Sequence, residues 1–170
     1  MEQKPSSARI ALKWGVICAL ATIILSTIIN VTGMWKSTGA SLLSVIPLVI
    51  FLVLGMKEYR EANGEFMTYG EGLSVGMLIG AISALISSLW GMLYTTVIDS
   101  TFLEQVKDFQ IEKMEESGLG EEQIDQALQM TEKFSGGGMM FIMGVLGSIF
   151  FAFLISLVVA AIMKKNKPVF

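Results

Sequence analysis

Leu73-Ser74-Val75-Gly76-Met77-Leu78-Ile79-Gly80-Ala81-Ile82-Ser83-Ala84-Leu85-Ile86-Ser87-Ser88-Leu89-Trp90-Gly91-Met92-Leu93-Tyr94-Thr95-Thr96-Val97-Ile98 is a run of 26 residues without a single charge. A hydrocarbon core of ~30 Å needs about 20 helical residues at 1.5 Å rise, so this run is long enough to cross a bilayer. Three more charge-free apolar runs, 14–31, 40–56 and 139–163, hold 18, 17 and 25 residues. The two shorter ones reach membrane thickness with their flanks. The first follows Lys4, Arg9 and Lys13 as a secretory leader would, but it exceeds a usual leader's apolar stretch and no small-x-small cleavage site follows Asn30. Composition agrees with four spans: 53% of residues are hydrophobic and 16% charged, against roughly 45–50% and about 25% in soluble domains. The expected fold is all-α, a four-helix transmembrane bundle in one integral membrane domain over residues 1–170.

The third run also says how the bundle holds together. Lipid offers little hydrophobic drive between helices, so association rests on close backbone approach and interhelical hydrogen bonds. Gly72, Gly76, Gly80, Ala84 and Ser88 recur every four residues, with Ser83, Ser87 and Gly91 alongside, and the fourth run carries a matching series: Gly144, Ser148, Ala152, Ser156 and Ala160, flanked by Gly147. Helices three and four are expected to pack through these series; the alternative is that one series faces a partner or a second copy. Pro47, mid-span in the second run, removes one backbone hydrogen bond and is expected to kink that helix. Ser26, Thr27 and Asn30 are candidate interhelical hydrogen-bonding groups. Thr68 and Glu71 have capping-box spacing at the start of the third span.

Between the third and fourth spans the chain changes character. Residues 99–138 hold ten acids and three lysines, a charge of −7, while the remainder has nine cations and five acids, or +4. Thr101 and Glu104 form a second capping-box pattern, after which Phe102, Leu103, Val106, Phe109 and Met114 follow helical spacing. Gly118 and Gly120 read as a stop, and Ile124, Ala127, Leu128 and Phe134 mark a second amphipathic helix from near Glu121. The expectation is an extramembrane acidic helical hairpin between helices three and four. Phe102, Val106, Phe109, Ile124 and Leu128 form its apolar face, and Ser135 to Gly138 break the pattern before the last span. That face could close on itself, cap the bundle or receive a partner helix.

Little of this is chemistry. There are no histidines and one cysteine, Cys18, set in an apolar run where it reads as a small hydrophobe. Zinc spacing, phosphate-binding loops, dinucleotide fingerprints and nucleophile elbows do not occur. The order of acids from Glu115 to Asp125 does not match an EF-hand loop, and adjacent pairs such as Glu115–Glu116 and Glu121–Glu122 point about 100° apart on a helix. No catalytic, metal or cofactor-binding residue is assigned, and the chain is expected not to be an enzyme. The lack of a basic face argues against a nucleic-acid partner. Lys57, Glu58, Arg60, Glu61 and Glu65 read as a solvated loop face, and Glu71 as a cap.

Four spans put both termini on one side. That side, with the second loop, holds eight of the twelve lysines and arginines, which favours cytoplasmic termini and a periplasmic acidic loop. Trp14, Tyr59 and Tyr69 fall at the inner interface, and Trp35, Trp90 and Tyr94 at the outer.

Phe66-Met67-Thr68-Tyr69-Gly70-Glu71-Gly72, Tyr94 with Asp99, and Phe102-Leu103-Glu104 at the start of a charged helical stretch resemble an uncharacterised bacterial inner-membrane family known as domain of unknown function 4199. The resemblance covers essentially the whole chain. It implies an inner-membrane location in diderm bacteria and brings no activity, substrate or site residue.

The functional expectation is a small multi-pass membrane protein that serves as a structural or accessory subunit of a membrane complex, or as a homo-oligomer. Its partners would be the bilayer and a membrane protein or a second copy. The alternative is an oligomeric channel or small-solute transporter, with Ser83, Ser87 and Ser88 lining a polar path. A third reading, an enzyme acting on lipids, would need Glu71 or Asp99 as its carboxylate.

Overall fold

The computed structural model describes residues 5–134 and 137–167. Its elements are α1 (Ser7–Val31), a 3-10 turn (Met34–Lys36), α2 (Thr38–Ala62), α3 (Tyr69–Leu93), a π-helical turn (Tyr94–Ile98), α4 (Phe102–Glu116), α5 (Glu121–Phe134) and α6 (Gly137–Met163). Among the described residues there is no strand, only an isolated antiparallel bridge between Met67 and Lys165. Four helices are long and apolar enough to cross a membrane: Ser7–Val31, Leu42–Ala62, Tyr69–Ile98 and Gly138–Met163. The fold is a four-helix transmembrane bundle with an amphipathic helical hairpin between its third and fourth spans.

The chain packs as two compact units, residues 5–87 with 145–167, and residues 88–144. In the first, the start of α1, the end of α2, the start of α3 and the end of α6 meet. The Met67–Lys165 bridge makes both of its backbone bonds, at 2.9 and 2.8 Å. Just inside that end lies a core that includes Leu52, Met56, Met67, Val75 and Ile79, all fully enclosed.

Local chemistry sets where each helix begins and ends. Ser6 caps α1 by accepting from the Arg9 amide. Thr68 and Glu71 form a reciprocal capping box at α3: the Thr68 amide donates to the Glu71 carboxylate at 2.9 Å, and the Glu71 amide donates to the Thr68 hydroxyl at 3.3 Å. After α2 ends at Ala62, Gly64 in the left-handed region (φ 70°) turns the chain, with the Glu65 amide donating back to the Arg60 carbonyl at 2.9 Å. Glu65 is itself held at φ 69°. α2 runs through Pro47 as one continuous helix, without the amide that would have bonded to the Leu43 carbonyl.

The second unit contains the hairpin. α4 stops in a Schellman motif: the Gly118 amide reaches the Glu115 carbonyl and the Leu119 amide the Met114 carbonyl, with Gly118 at φ 79°. The Gln123 side chain then accepts from the Gly120 amide to open α5. Lys107 of α4 reaches Glu132 of α5 at 2.7 Å, which fixes the two helices antiparallel.

Three local expectations differ from the structure. Thr101 does not form a capping box with Glu104, because its backbone is already helical (φ −89°, ψ −11°) and its hydroxyl donates to Asp99 at 2.7 Å. Gly137 and Gly138 begin α6 rather than interrupt the chain before it, while Ser135 and Gly136 lie outside the described residues. The Ser26 hydroxyl donates to the Ile23 carbonyl of its own helix at 3.0 Å, the local bond that a helical serine can make without a neighbour.

Candidate functional site: the small-residue seam and the basic end of the bundle

The two small-residue series face each other along α3 and α6. A methyl added to Gly72 would lie 3.2 Å from the Ala160 Cβ, one on Gly76 would strike Ser156, and one on Gly80 would strike the Ala152 methyl. Each step of four along α3 is matched by a step of four back along α6, the signature of antiparallel helices in fixed register. That register sets Ala84 opposite Ser148; Ala84 is buried and Ser148 exposed. In the second unit the same stepping brings Gly144 to Ser88, whose Oγ lies 3.4 Å from where a Gly144 methyl would be. Ser156 is completely enclosed, and its hydroxyl takes the space a Gly76 side chain would fill.

α1 and α2 use the same device, which the charge-free runs did not reveal. A Gly15 methyl would sit 2.8 Å from the Ile82 Cβ and 3.2 Å from the Ile79 carbonyl oxygen; one on Gly55 would strike Ile79. The available signal was Ala11, Gly15 and Ala19, small residues four apart and all buried, but the apolar run began at Trp14 and cut the series. Cys18, beside that stripe, is enclosed and accepts from the Ser83 hydroxyl at 3.4 Å. Ser83 and Ser87 are thus packed within the chain, the Ser87 Oγ being enclosed as well.

The acidic hairpin places its predicted face unevenly. Ile124 is buried; Phe102, Val106, Phe109 and Leu128 are half-buried, with Phe102 edge-on to the buried Tyr94 at 5.6 Å. Leu103, Leu119 and Met130 are exposed. Lys107 and Glu132 shift each other: the lysine amine, through its hydrogen bond, holds the Glu132 carboxyl below its ordinary range, and the carboxylate raises Lys107. Lys113 is likewise raised by Glu116.

The end of the bundle that carries the basic residues is more structured than a solvated loop. α2 continues to Ala62, so Glu58 and Arg60 lie on its last two turns. Glu58 accepts from the Trp14 indole at 2.6 Å and from Lys13 at 2.7 Å, tying α2 to α1. Arg60 is half-buried and donates from Nη1 to the Met163 carbonyl at 3.4 Å, while its Nε has no partner among the described residues. Lys165 and Lys167 lie 5.7 and 5.9 Å from the centre of the Phe66 ring. The sequence reading missed these contacts because they join residues 44 and 103 positions apart. Beside Arg60, α2 and α6 leave an apolar groove of about 600 Å³ lined by Val49, Val53, Leu154, Val158, Ile162 and Met163, among others.

Four apolar helices of spanning length, held by small-residue contacts, make this a helical membrane protein. Over residues 13–165 the chain matches the family described as protein of unknown function (DUF4199), and it belongs to that family. No curated protein and no solved structure matches it.

Proposed function

We propose that the protein is a structural or accessory subunit of a membrane complex, or a homo-oligomer, with the acidic hairpin as its docking element. One observation carries this reading. The hairpin is capped, stopped and cross-linked as a defined element, yet it leaves Leu103, Leu119 and Met130 exposed on an acidic background. Exposed apolar side chains on a fixed helical pair are what a partner helix packs against. In the proposed topology the termini are cytoplasmic in a bacterial inner membrane and the hairpin is periplasmic, an assignment supported by the eight of twelve lysines and arginines that fall in the termini and the second loop.

Purification from native membranes in mild detergent, with particle mass and bound proteins determined together, tests the reading. A partner or second copy in fixed stoichiometry, released by Met130→Glu with Leu119→Glu, is the expected outcome. A single-chain particle that passes ions or solutes in liposomes would replace the subunit reading with the transporter reading.

A further inference from the structure

We infer that the groove between α2 and α6, together with Arg60 at its mouth, is a specific binding site for one anionic phospholipid. This goes beyond the subunit reading and does not depend on it. The groove wall is entirely apolar, and its volume of about 600 Å³ lies inside the roughly 300–1,000 Å³ of small-molecule sites. On α6 it runs from Leu154 to Met163, nine residues or about 14 Å at 1.5 Å per residue. That is close to half of a ~30 Å hydrocarbon core, the depth of one leaflet. A single acyl chain entering from the leaflet at the basic end matches the groove in polarity and in length.

Arg60 supplies the headgroup chemistry. On α2, Val49, Val53 and Arg60 are four and seven residues apart and share one face. The Arg60 bond to the Met163 carbonyl puts the guanidinium at the groove's end. Among the described residues no carboxylate lies within ion-pair distance of it, and Nε–H has no acceptor. Of the acids nearby on α2, Glu58 pairs with Lys13 at 2.7 Å and Glu61 lies 3.9 Å from Lys57. A half-buried guanidinium with one weak hydrogen bond calls for an anion, and its planar fork fits phosphate oxygens. Lys164, Lys165 and Lys167 follow at the same end of α6 and add a positive field that favours an anionic over a zwitterionic headgroup.

The test uses the full-length protein in an uncharged detergent, with native mass spectrometry after adding phosphatidylglycerol or phosphatidylcholine of identical acyl chains. One phosphatidylglycerol per chain should be retained, roughly tenfold more tightly than phosphatidylcholine, whose choline ammonium is repelled by the cations that attract the phosphate both lipids share. Arg60→Gln should lower retention of both lipids, since both carry the phosphate that its guanidinium would bind. Val158→Trp, on an exposed groove position, should fill the groove and lower retention of both lipids; being outside the core, it keeps the test valid if Arg60→Gln does not fold. Equal retention of the two lipids, or retention that Arg60→Gln leaves unchanged, would overturn the proposal. So would full competition by inorganic phosphate alone, or a particle of doubled mass that Val158→Trp splits, which would give the groove to a second copy.

Discussion

Gly80→Ala should weaken the fold by about 1–2 kcal/mol, and Ala152→Gly should restore most of the loss. A methyl on Gly80 would strike the Ala152 methyl, with the Ala152 Cα only 3.7 Å away. Neither group is the end of a flexible chain, so the helices have to part. Carbon atoms pack at about 3.5–4.0 Å, and a gap of 0.5–1 Å forfeits a quarter to a half of each contact energy. The loss therefore spreads to Gly76 against Ser156 and Gly72 against Ala160, the adjoining steps of the seam. Overpacking costs about 1–3 kcal/mol, and replacing glycine by alanine in a helix returns about 0.5–1 kcal/mol, which leaves the stated net. The double variant moves one methyl from α6 to α3 and leaves the total volume unchanged. Cys18 provides the assay, since it is the sole cysteine and is completely enclosed. Its maleimide labelling rate in micelles follows the population of opened molecules and should rise about 5–30-fold in Gly80→Ala. An unchanged rate in Gly80→Ala, or a double variant no better protected than the single, would refute the seam as the structural determinant.

Other perturbations separate the remaining contacts. Glu58→Ala removes the acceptor of both Trp14 and Lys13 and should cost about 1 kcal/mol after allowing for solvent exposure; Trp14 fluorescence, in a background with Trp35 and Trp90 replaced by Phe, should become more accessible to a soluble quencher. Glu65→Gly relieves a side chain held at φ 69° and should stabilise by about 0.5–1 kcal/mol, the left-handed cost less the added unfolded-state entropy; slower Cys18 labelling would report it. The Lys107–Glu132 pair makes the hairpin sensitive to pH at both extremes. Because Glu132 is lowered and Lys107 raised, the contribution is present between the ordinary carboxylate and amine values. It is lost as pH falls through the folded value of Glu132 or rises through that of Lys107. An NMR titration should place the Glu132 midpoint below the ordinary carboxylate range, and Lys107→Met should return it there.

The reading of the sequence was most complete where the relevant contacts repeat. Gly72, Gly76 and Gly80 on one run and Ala152, Ser156 and Ala160 on the other share a period of four, so the face each helix presents was visible before any fold was known. Thr68–Glu71 was legible for the same reason, as its partners are three residues apart. Thr101–Glu104 has identical spacing and failed, because the hydroxyl found Asp99 two residues upstream and the backbone had already turned helical. Spacing states that a cap can form; the competing acceptor decides whether it does.

By itself, then, the sequence determined the number of spans, the helical hairpin between the last two, and the stripes on which α3 and α6 meet. These follow from hydropathy and helical period, properties of neighbours along the chain. Tertiary structure alone decided that Glu58 ties α2 to α1 through Trp14 and Lys13, that Met67 bridges Lys165, and that Arg60 reaches the carbonyl of Met163, a residue lining an apolar groove. Each of these joins residues with no periodic relation, brought together only when helices that look alike in composition settle into one particular order and rotation.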